Sequence, residues 1–503
     1  MAEWLPADHL VWFVLDVVDE LDTTAFHAQH PVAGPGRAAY DPDMLLALLV
    51  YAYAVGERSS RRIERLCHDH VAFRVLCAQD APDHTTIARF RSRHEALFAE
   101  LFARVLRLCS AAGMVKVGMV AIDGTKIAAD AARGANRTQD WVREQATTIA
   151  RQVVAEATEA DATEDAEEDS DGQGPPPGFT RRGGRAANIR RALAELDRQD
   201  AAAGQADATD RAEVEEFSTR VEAGESGLGR PPAGVDLVRY HRARLARYQR
   251  RAEEAASSNA RRDARAEARK AARSLARAEE QEAAGQLDLR GRAARARDRR
   301  AARQRARGGT GPTVNTTDPE SRLMTHGAGG GSVQGYNAQI AVSDDHFIVG
   351  THLSQDANDA NCFAPMLRIV TTAATGLGTQ VETVLADAGY FTEENLTMPG
   401  PERLIAPGKN RDLARQAIEE PAHGPPPVDA EARDQMRHRL RTAEGHELYK
   451  RRSATVETVI AHLKDQTALR RFARRGLTAA AAELDLAATA INIRRWHSAQ
   501  LPA

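Results

Sequence analysis

The order of apolar and polar positions divides the chain into an N-terminal helical region and a later α/β region. Up to about residue 115, apolar residues recur at helical spacing and strand-like alternation is rare. The longest apolar run, Met44 to Val55, predicts a buried helix and is too short to span a bilayer. A further helix is predicted from a cap at Thr85 to about Cys109. Residues 1–115 are therefore expected to form an all-helical domain.

The second of these helices carries a basic face. Arg89, Arg91 and Arg93 alternate with residues such as Ile87 and Phe90, which are expected to face inward. A short helix, a turn and a basic helix are typical of a helix-turn-helix, whose second helix contacts DNA. A helical bundle with a solvated arginine face explains the same pattern equally well.

Two apolar runs of strand length each end in an aspartate. Val117 to Ile122 leads to Asp123, and Val381 to Ala386 leads to Asp387. A hairpin with its turn at Asp344-Asp345 is predicted between them. A carboxylate at the end of a buried strand is held rigidly at the edge of a sheet, although an aspartate before a glycine is also common in turns.

A late helix supplies a third acidic residue. Val456, Val459, Ile460 and Leu463 recur at helical spacing, and Glu457 lies at the edge of the apolar stripe that they form. Taken alone, this helix is better explained as an amphipathic helix with a solvated glutamate. A mixed sheet with acids at two strand ends and a third acid on a late helix is, however, the layout of a ribonuclease-H-like fold.

Composition separates residues 137–310 from the rest of the chain. An acidic stretch rich in Ser, Gly and Pro runs from Glu156 to Pro177 and is predicted to be disordered. Helices rich in Ala, Arg and Glu are predicted at 186–202, 209–223 and 234–306, and the last is very basic. We interpret the segment as an acidic linker and a basic helical arm, inserted after the first strand, that can lie along a DNA backbone. A solvated helix with partial order explains the end of the arm at least as well.

Other features exclude several classes of protein. The four cysteines are scattered and form no C-x-x-C pair, which argues against a zinc knuckle or a disulfide scaffold. The glycine-rich segment Gly327 to Gly335 lacks the Gly-Lys-Ser/Thr of a nucleotide-binding loop. The segment Asp356 to Asp359 lacks the glycine and distal glutamate of a calcium loop, so Asp359 is predicted to cap a helix. The N-terminus has no basic region before its apolar run, and a cytoplasmic protein is expected.

Several separate blocks resemble the DDE transposases of bacterial insertion sequences. The blocks Ala-Ile-Asp-Gly-Thr-Lys (121–126), Gly-Tyr-Asn-Ala-Gln (335–339) and Leu-Ala-Asp-Ala-Gly-Tyr (385–390) are similar to blocks of that family. A further block resembles its Y-R-E-K signature and consists of Tyr449, Arg452, Glu457 and Lys464. Four residues rather than the more usual three separate the arginine from the glutamate, and the insertion follows the first aspartate rather than the second.

The resemblance implies a ribonuclease-H-like mixed α/β sheet with an N-terminal all-helical domain and a long helical insertion. The implied domains are a DNA-binding domain at 1–115, a catalytic domain at 116–136 and 311–503, and the insertion at 137–310. It also implies DNA cleavage at the terminal inverted repeats of an insertion sequence, and joining of the ends to target DNA. A catalytically silent DNA-binding regulator and a nuclease without strand transfer are the alternatives.

Roles for individual residues follow from the same resemblance. Asp123, Asp387 and Glu457 are the expected ligands of two Mg²⁺ ions, for which Mn²⁺ can substitute. Phosphates of the element's ends are expected to contact Tyr449, Arg452 and Lys464. The helix-turn-helix pattern, rather than the resemblance, adds Arg89, Arg91 and Arg93 as expected DNA contacts. The expected partners are DNA and a second copy of the chain on paired ends, at the bacterial nucleoid, with neither a membrane nor a nucleotide cofactor.

Overall fold

The computed structural model describes residues 2–29, 39–164, 181–225, 230–306, 313–325, 331–408, 410–426 and 430–501. The chain forms two compact units. The first comprises Met1–Asn136 and Thr317–Ala503, and the second is Arg137–Thr316. No helix in the described ranges is long and apolar enough to cross a membrane.

Helices and strands are numbered along the chain. The helices are α1 (Leu10–Asp19), α2 (Thr24–His27), α3 (Pro42–Ala54), α4 (Ser60–Asp69), α5 (Val71–Leu76), α6 (His84–Arg93), α7 (Phe98–Ala111), α8 (Gln139–Glu164), α9 (Arg181–Glu222), α10 (Leu237–Glu254), α11 (Ser258–Ala283), α12 (Arg292–Ala306), α13 (Phe363–Gly376), α14 (Glu393–Thr397), α15 (Asn410–Glu419), α16 (Ala432–Arg441), α17 (Ala443–Asp465) and α18 (Leu477–Gln500). The strands are β1 (Met119–Ala128), β2 (Asn136–Thr138), β3 (Thr313–Asn315), β4 (Arg322–Thr325), β5 (Ser332–Ser343), β6 (Ile348–Ser354), β7 (Thr383–Ala386) and β8 (Glu402–Ile405).

A mixed sheet forms the centre of the first unit. Its strand order is β4-β5-β1-β7-β8, and β6 pairs with the later part of β5. β5 is antiparallel to β1, β4 and β6, whereas β1, β7 and β8 run parallel. The predicted hairpin is therefore the β5–β6 pair. The predicted ribonuclease-H-like fold class, with helices before the sheet and a long helical insertion, is confirmed.

The N-terminal helices pack against the last helix of the chain. α18 is buried along most of its length and contacts α3, α7 and β6. α3 corresponds to the predicted apolar helix: Asp41 caps its start, and Gly56 follows its end with a φ of +84°. A Cβ atom at Gly56 would lie 2.8 Å from the backbone oxygen of Gln466, so glycine permits this close approach just after α17.

The second unit is helical and has a small apolar core of its own. Val142, Ala192, Leu196 and Val314 are buried together. The helices predicted at 186–202 and 209–223 are one continuous helix, α9, because Gly204 between them does not end it.

The basic arm predicted as one helix at 234–306 is divided into α10, α11 and α12. Ser257 caps α11 through a hydrogen bond from Ala260, and Gly285 follows that helix with a φ of +65°. In the acidic stretch, α8 continues to Glu164, and residues 165–177 lie outside the described residues.

Candidate active site

Two aspartates lie side by side on neighbouring parallel strands: Asp387 directly follows the end of β7, whereas Asp123 lies within β1, which continues to Ala128 rather than ending before the aspartate as predicted. Ile122 of β1 is in register with Ala386 of β7, so the next residues, Asp123 and Asp387, are neighbours. The apolar residues directly before both aspartates are fully buried, which fixes this part of each strand in the core.

The two aspartates are held by short local hydrogen bonds and lie mostly out of water. Asp123 Oδ1 accepts from the backbone N–H of Gly124 at 2.8 Å, and Asp387 Oδ1 accepts from that of Gly389 at 2.8 Å. Burial raises the pKa of Asp123 to about 6, and the nearby Asp387 carboxylate acts in the same direction. Burial also raises the pKa of Asp387. A carboxyl pair of this kind ionises more readily when a cation is close.

Helix α17 brings the third acid to this part of the sheet. Its apolar side packs through Val456, Val459 and Leu463, which are buried as predicted, whereas Ile460 is half-buried. Glu457 is 57% exposed, and its Oε1 accepts hydrogen bonds from Ser453 Oγ at 2.7 Å and from Arg452 Nη2 at 3.4 Å.

A cleft of about 360 Å³ joins the first and third acids. It is lined by Asp123, Gly124, Thr125, Glu457, Ile460, Ala461, Lys464, Asp465 and Arg470. Lys464 is half-buried here, and burial lowers the pKa of its ammonium group. The cleft therefore presents carboxylates together with two cationic side chains, Lys464 near the end of α17 and Arg470 after it.

Tyr449 and Arg452, the predicted phosphate contacts, lie against the strands that carry the two aspartates. Both side chains are buried: the Tyr449 hydroxyl donates to the backbone oxygen of Ala386 at 3.2 Å, and Arg452 Nη1 donates to Asp123 Oδ2 at 3.1 Å. Tyr449 is thus held against the end of β7 and Arg452 against Asp123 of β1, and their predicted DNA contacts stay predictions. The role predicted for Lys464 remains a prediction.

The three arginines of the predicted DNA-reading helix lie in different environments on α6. Arg89 and Arg93 are exposed, whereas Arg91 is buried. The Arg91 guanidinium donates to the backbone oxygen of Arg58 at 2.9 Å and to Ser60 Oγ at 3.2 Å. These bonds favour a structural role for Arg91, and its predicted DNA contact stays a prediction.

Asp359, which the sequence predicts to cap a helix, lies close to the two aspartates of the sheet. It precedes a 3-10 helix at Ala360–Cys362, but its side chain makes no capping hydrogen bond, so the predicted cap is wrong. Its carboxylate instead accepts from Asn337 and Gln339 of β5. Two polar residues on one face of a buried strand require a polar partner, and that was the available signal.

The ribonuclease-H-like sheet therefore places clustered acids beside a cleft that Lys464 and Arg470 line. A family model described as a transposase domain (DUF772) matches residues 1–93, and one described as a transposase DDE domain matches residues 307–493. Both matches are to transposase domains, in agreement with the predicted resemblance to DDE transposases. The matched domains support, in general terms, a DNA-transposing enzyme that binds DNA and uses divalent metal ions. No curated protein and no solved structure matches the chain.

Proposed function

We propose that the chain cleaves DNA at the terminal inverted repeats of an insertion sequence and joins the ends to target DNA. One observation carries the proposal: the β1–β7 register brings Asp123 and Asp387 together, and Arg452 links Asp123 to Glu457 across the cleft. Phosphodiester cleavage needs hard oxygen ligands for metal ions close to groups that bind phosphate. This site combines both kinds of group.

The residues present fit a site for two Mg²⁺ ions, in which Mn²⁺ can substitute. Asp123, Asp387 and Glu457 supply carboxylate oxygens, and the buried aspartates have raised pKa values that a nearby cation would lower. When bound, the ions activate a water molecule or a 3′-hydroxyl group and stabilise the leaving oxygen. Arg452 offsets the charge of two of the acids, and Tyr449 fixes the end of β7 through Ala386.

DNA is proposed to contact three parts of the chain. Lys464 and Arg470 line the cleft and supply point charges for phosphates beside the acids. Residues 1–115 bind the element's ends, with Arg89 and Arg93 on the exposed side of α6. The insertion, 137–310, adds affinity for the DNA backbone without reading bases, and helps a second copy of the chain to assemble on paired ends.

The proposal is tested with the full-length protein, Mg²⁺, labelled DNA that carries both element ends, and a target plasmid. Cleaved ends and joined products are expected, and both should vanish with a chelator. Asp123→Asn, Asp387→Asn and Glu457→Gln should each abolish cleavage and leave end binding intact. Glu447→Gln is the matched control, because Glu447 is an exposed acid of α17 that pairs with Lys450.

Other outcomes separate the alternative functions. Cleavage without joined product would identify a nuclease that lacks strand transfer. End binding without cleavage in either Mg²⁺ or Mn²⁺ would identify a DNA-binding regulator and overturn the proposal. Metal-dependent cleavage by any one of the three acid variants would remove that residue from the site.

A further inference from the structure

Asp359 directs its carboxylate into the sheet rather than along the helix that it precedes. Its Oδ1 accepts a hydrogen bond from Asn337 Nδ2 at 2.8 Å and another from Gln339 Nε2 at 2.8 Å. Both amides belong to β5 and are almost completely buried, at 1% and 0% exposure. Donors without access to water need a partner in the protein, and this carboxylate supplies it.

Two glycines allow Asp359 to lie between the strands that carry the catalytic aspartates. A Cβ atom at Gly124, next to Asp123, would lie 2.2 Å from Asp359 Oδ1. A Cβ atom at Gly389 would lie 3.0 Å from Asp359 Oδ2 and 3.0 Å from Asp387 Oδ1. Asp359 is therefore in close contact with β1 on one side and with the turn after β7 on the other.

A chain of hydrogen bonds continues from Asp359 to that turn. Gln339 donates through Nε2 to Asp359, and its Oε1 accepts from the hydroxyl group of Tyr390. Tyr390 is fully buried and ends the 3-10 turn that begins directly after Asp387. Because an amide has one donor end and one acceptor end, the bond to Asp359 fixes which end of Gln339 faces Tyr390.

We propose that Asp359 is a positioning residue for the transposition reaction, which holds the Asp387 turn against β5, the neighbour of β1, through Gln339 and Tyr390. The essential property is an oxygen acceptor at the position of Oδ1. Without it, the Gln339 amide has a buried unsatisfied donor and is free to rotate, so the Tyr390 hydroxyl loses its fixed partner. The choice of assay rests on the proposed function, but the hydrogen-bond chain does not.

Asp359→Asn and Asp359→Ala separate the acceptor from the charge. Asparagine keeps an oxygen that can accept both bonds, so its cleavage rate should stay within about threefold of the native rate. Alanine removes the acceptor, and the rate at saturating DNA should fall about 10- to 100-fold, with a higher Mg²⁺ requirement and unchanged affinity for the ends. Asp356→Ala, at an exposed acid three residues earlier, should behave like the native protein.

Tyr390→Phe tests whether the effect passes through the proposed chain. If Asp359 acts through Gln339 and Tyr390, the double variant of Asp359→Ala and Tyr390→Phe should be little slower than the slower single variant. If the rate reduction in the double variant instead equals the product of the two single reductions, the two residues act separately and the inference is overturned. Thermal unfolding of each variant shows whether a lost rate reflects a lost fold.

Hydrogen exchange provides a readout that does not depend on catalysis. In protein without metal or DNA, Asp359→Ala should speed amide exchange across 387–397, whereas Asp359→Asn should not. If the native protein does not cleave DNA, the proposed function is wrong. The amide-exchange rates alone then test whether Asp359 positions the Asp387 turn. Native exchange in the alanine variant would overturn the inference. An asparagine variant as defective as alanine would also overturn it, because the charge rather than the acceptor would then be required.

Discussion

Arg452 donates a hydrogen bond from Nη1 to Oδ2 of Asp123 at 3.1 Å, although 329 residues separate the two in the sequence. The same guanidinium reaches Glu457 through Nη2 at 3.4 Å, and the arginine side chain is only 6% exposed. A cation from α17 thus joins an acid of the sheet to an acid of its own helix. Its charge offsets the repulsion between carboxylates that the site brings together.

Replacing Arg452 with alanine should impair stability and catalysis rather than DNA affinity. The change leaves the Asp123 carboxylate without its main counter-charge, and loss of one partner from a buried pair destabilises by about 3 kcal/mol. Urea unfolding in the presence of a chelator measures this loss. At saturating DNA the cleavage rate should fall, while affinity for the element's ends stays close to native.

Lys464→Ala is the matched comparison for Arg452→Ala. Lys464 lines the open cleft, so its loss should weaken DNA binding and reduce the slope of log affinity against log salt by about one. If Arg452→Ala produced that salt effect and kept its stability, Arg452 would be a phosphate contact, as the sequence first indicated.

The sequence predicts the three acids because each is marked by a local signal. Asp123 and Asp387 end apolar runs of strand length, and Glu457 borders a helical apolar stripe. Parallel pairing of the two strands then brings the aspartates together, since their apolar residues must share one core. The fold class follows from the same order of strands and helices.

The environments of Tyr449, Arg452 and Arg91 could not be predicted in this way. Charged and polar side chains at helical spacing indicate a solvated or DNA-facing surface, unless a distant partner covers them. The partners of Arg452 and Tyr449 lie on β1 and β7, far away in sequence. Asp359 was mistaken for a cap for the same reason, because its amide partners belong to an earlier strand.

Arg89 and Arg93 should contact DNA, whereas Arg91 should support the fold. Replacing both exposed residues with alanine should lower affinity for the element's ends and reduce the salt slope by about two, since fewer counterions are released. Arg91→Ala should leave the slope unchanged and lower the free energy of unfolding by about 2 kcal/mol, because buried hydrogen bonds to Arg58 and Ser60 are lost. Salt titrations and urea unfolding distinguish the two effects.

An unchanged slope of log affinity against log salt in the double variant would exclude α6 as the DNA contact.

The insertion offers a row of cations on the outer side of α11. Arg262, Arg265, Arg269 and Arg273 are exposed and recur at helical spacing, opposite the buried Ala264, Ala271 and Ala278. Changing the four arginines to glutamine should weaken binding to specific and random DNA by the same factor and reduce the salt slope by about three to four.

Deletion of 140–310 with a Gly/Ser bridge should weaken binding in the same way and leave the sheet folded, because the insertion is a separate compact unit. A loss confined to the element's own ends would show instead that the arm reads sequence.

Asp485 should make the protein less stable as pH rises. It lies beside a cavity of about 550 Å³ between α7, β6, α13 and α18, and its carboxyl group accepts a hydrogen bond from Thr351. Arg107 and Arg368 line the same cavity, yet burial raises the pKa of Asp485 to about 6. The pKa of an aspartate in the unfolded chain is about 3.8, so between pH 3.8 and 6 the folded state binds this proton more tightly than the unfolded state does.

The proton on Asp485 contributes to the free energy of unfolding. This contribution is fully present below the pKa of Asp485 in the unfolded chain, and it is lost as pH rises through the pKa of Asp485 in the folded chain. Asp485→Asn keeps an acceptor for Thr351 and removes the ionisation, so it should raise the free energy of unfolding by about 2 kcal/mol at pH 7.5. The gain should be smaller at pH 5, where the native carboxyl group is still largely protonated in the folded state. Urea unfolding of both proteins at the two pH values measures the difference. An equal gain at pH 5 and pH 7.5 would mean that the group does not titrate in this range, and that the variant acts through packing alone.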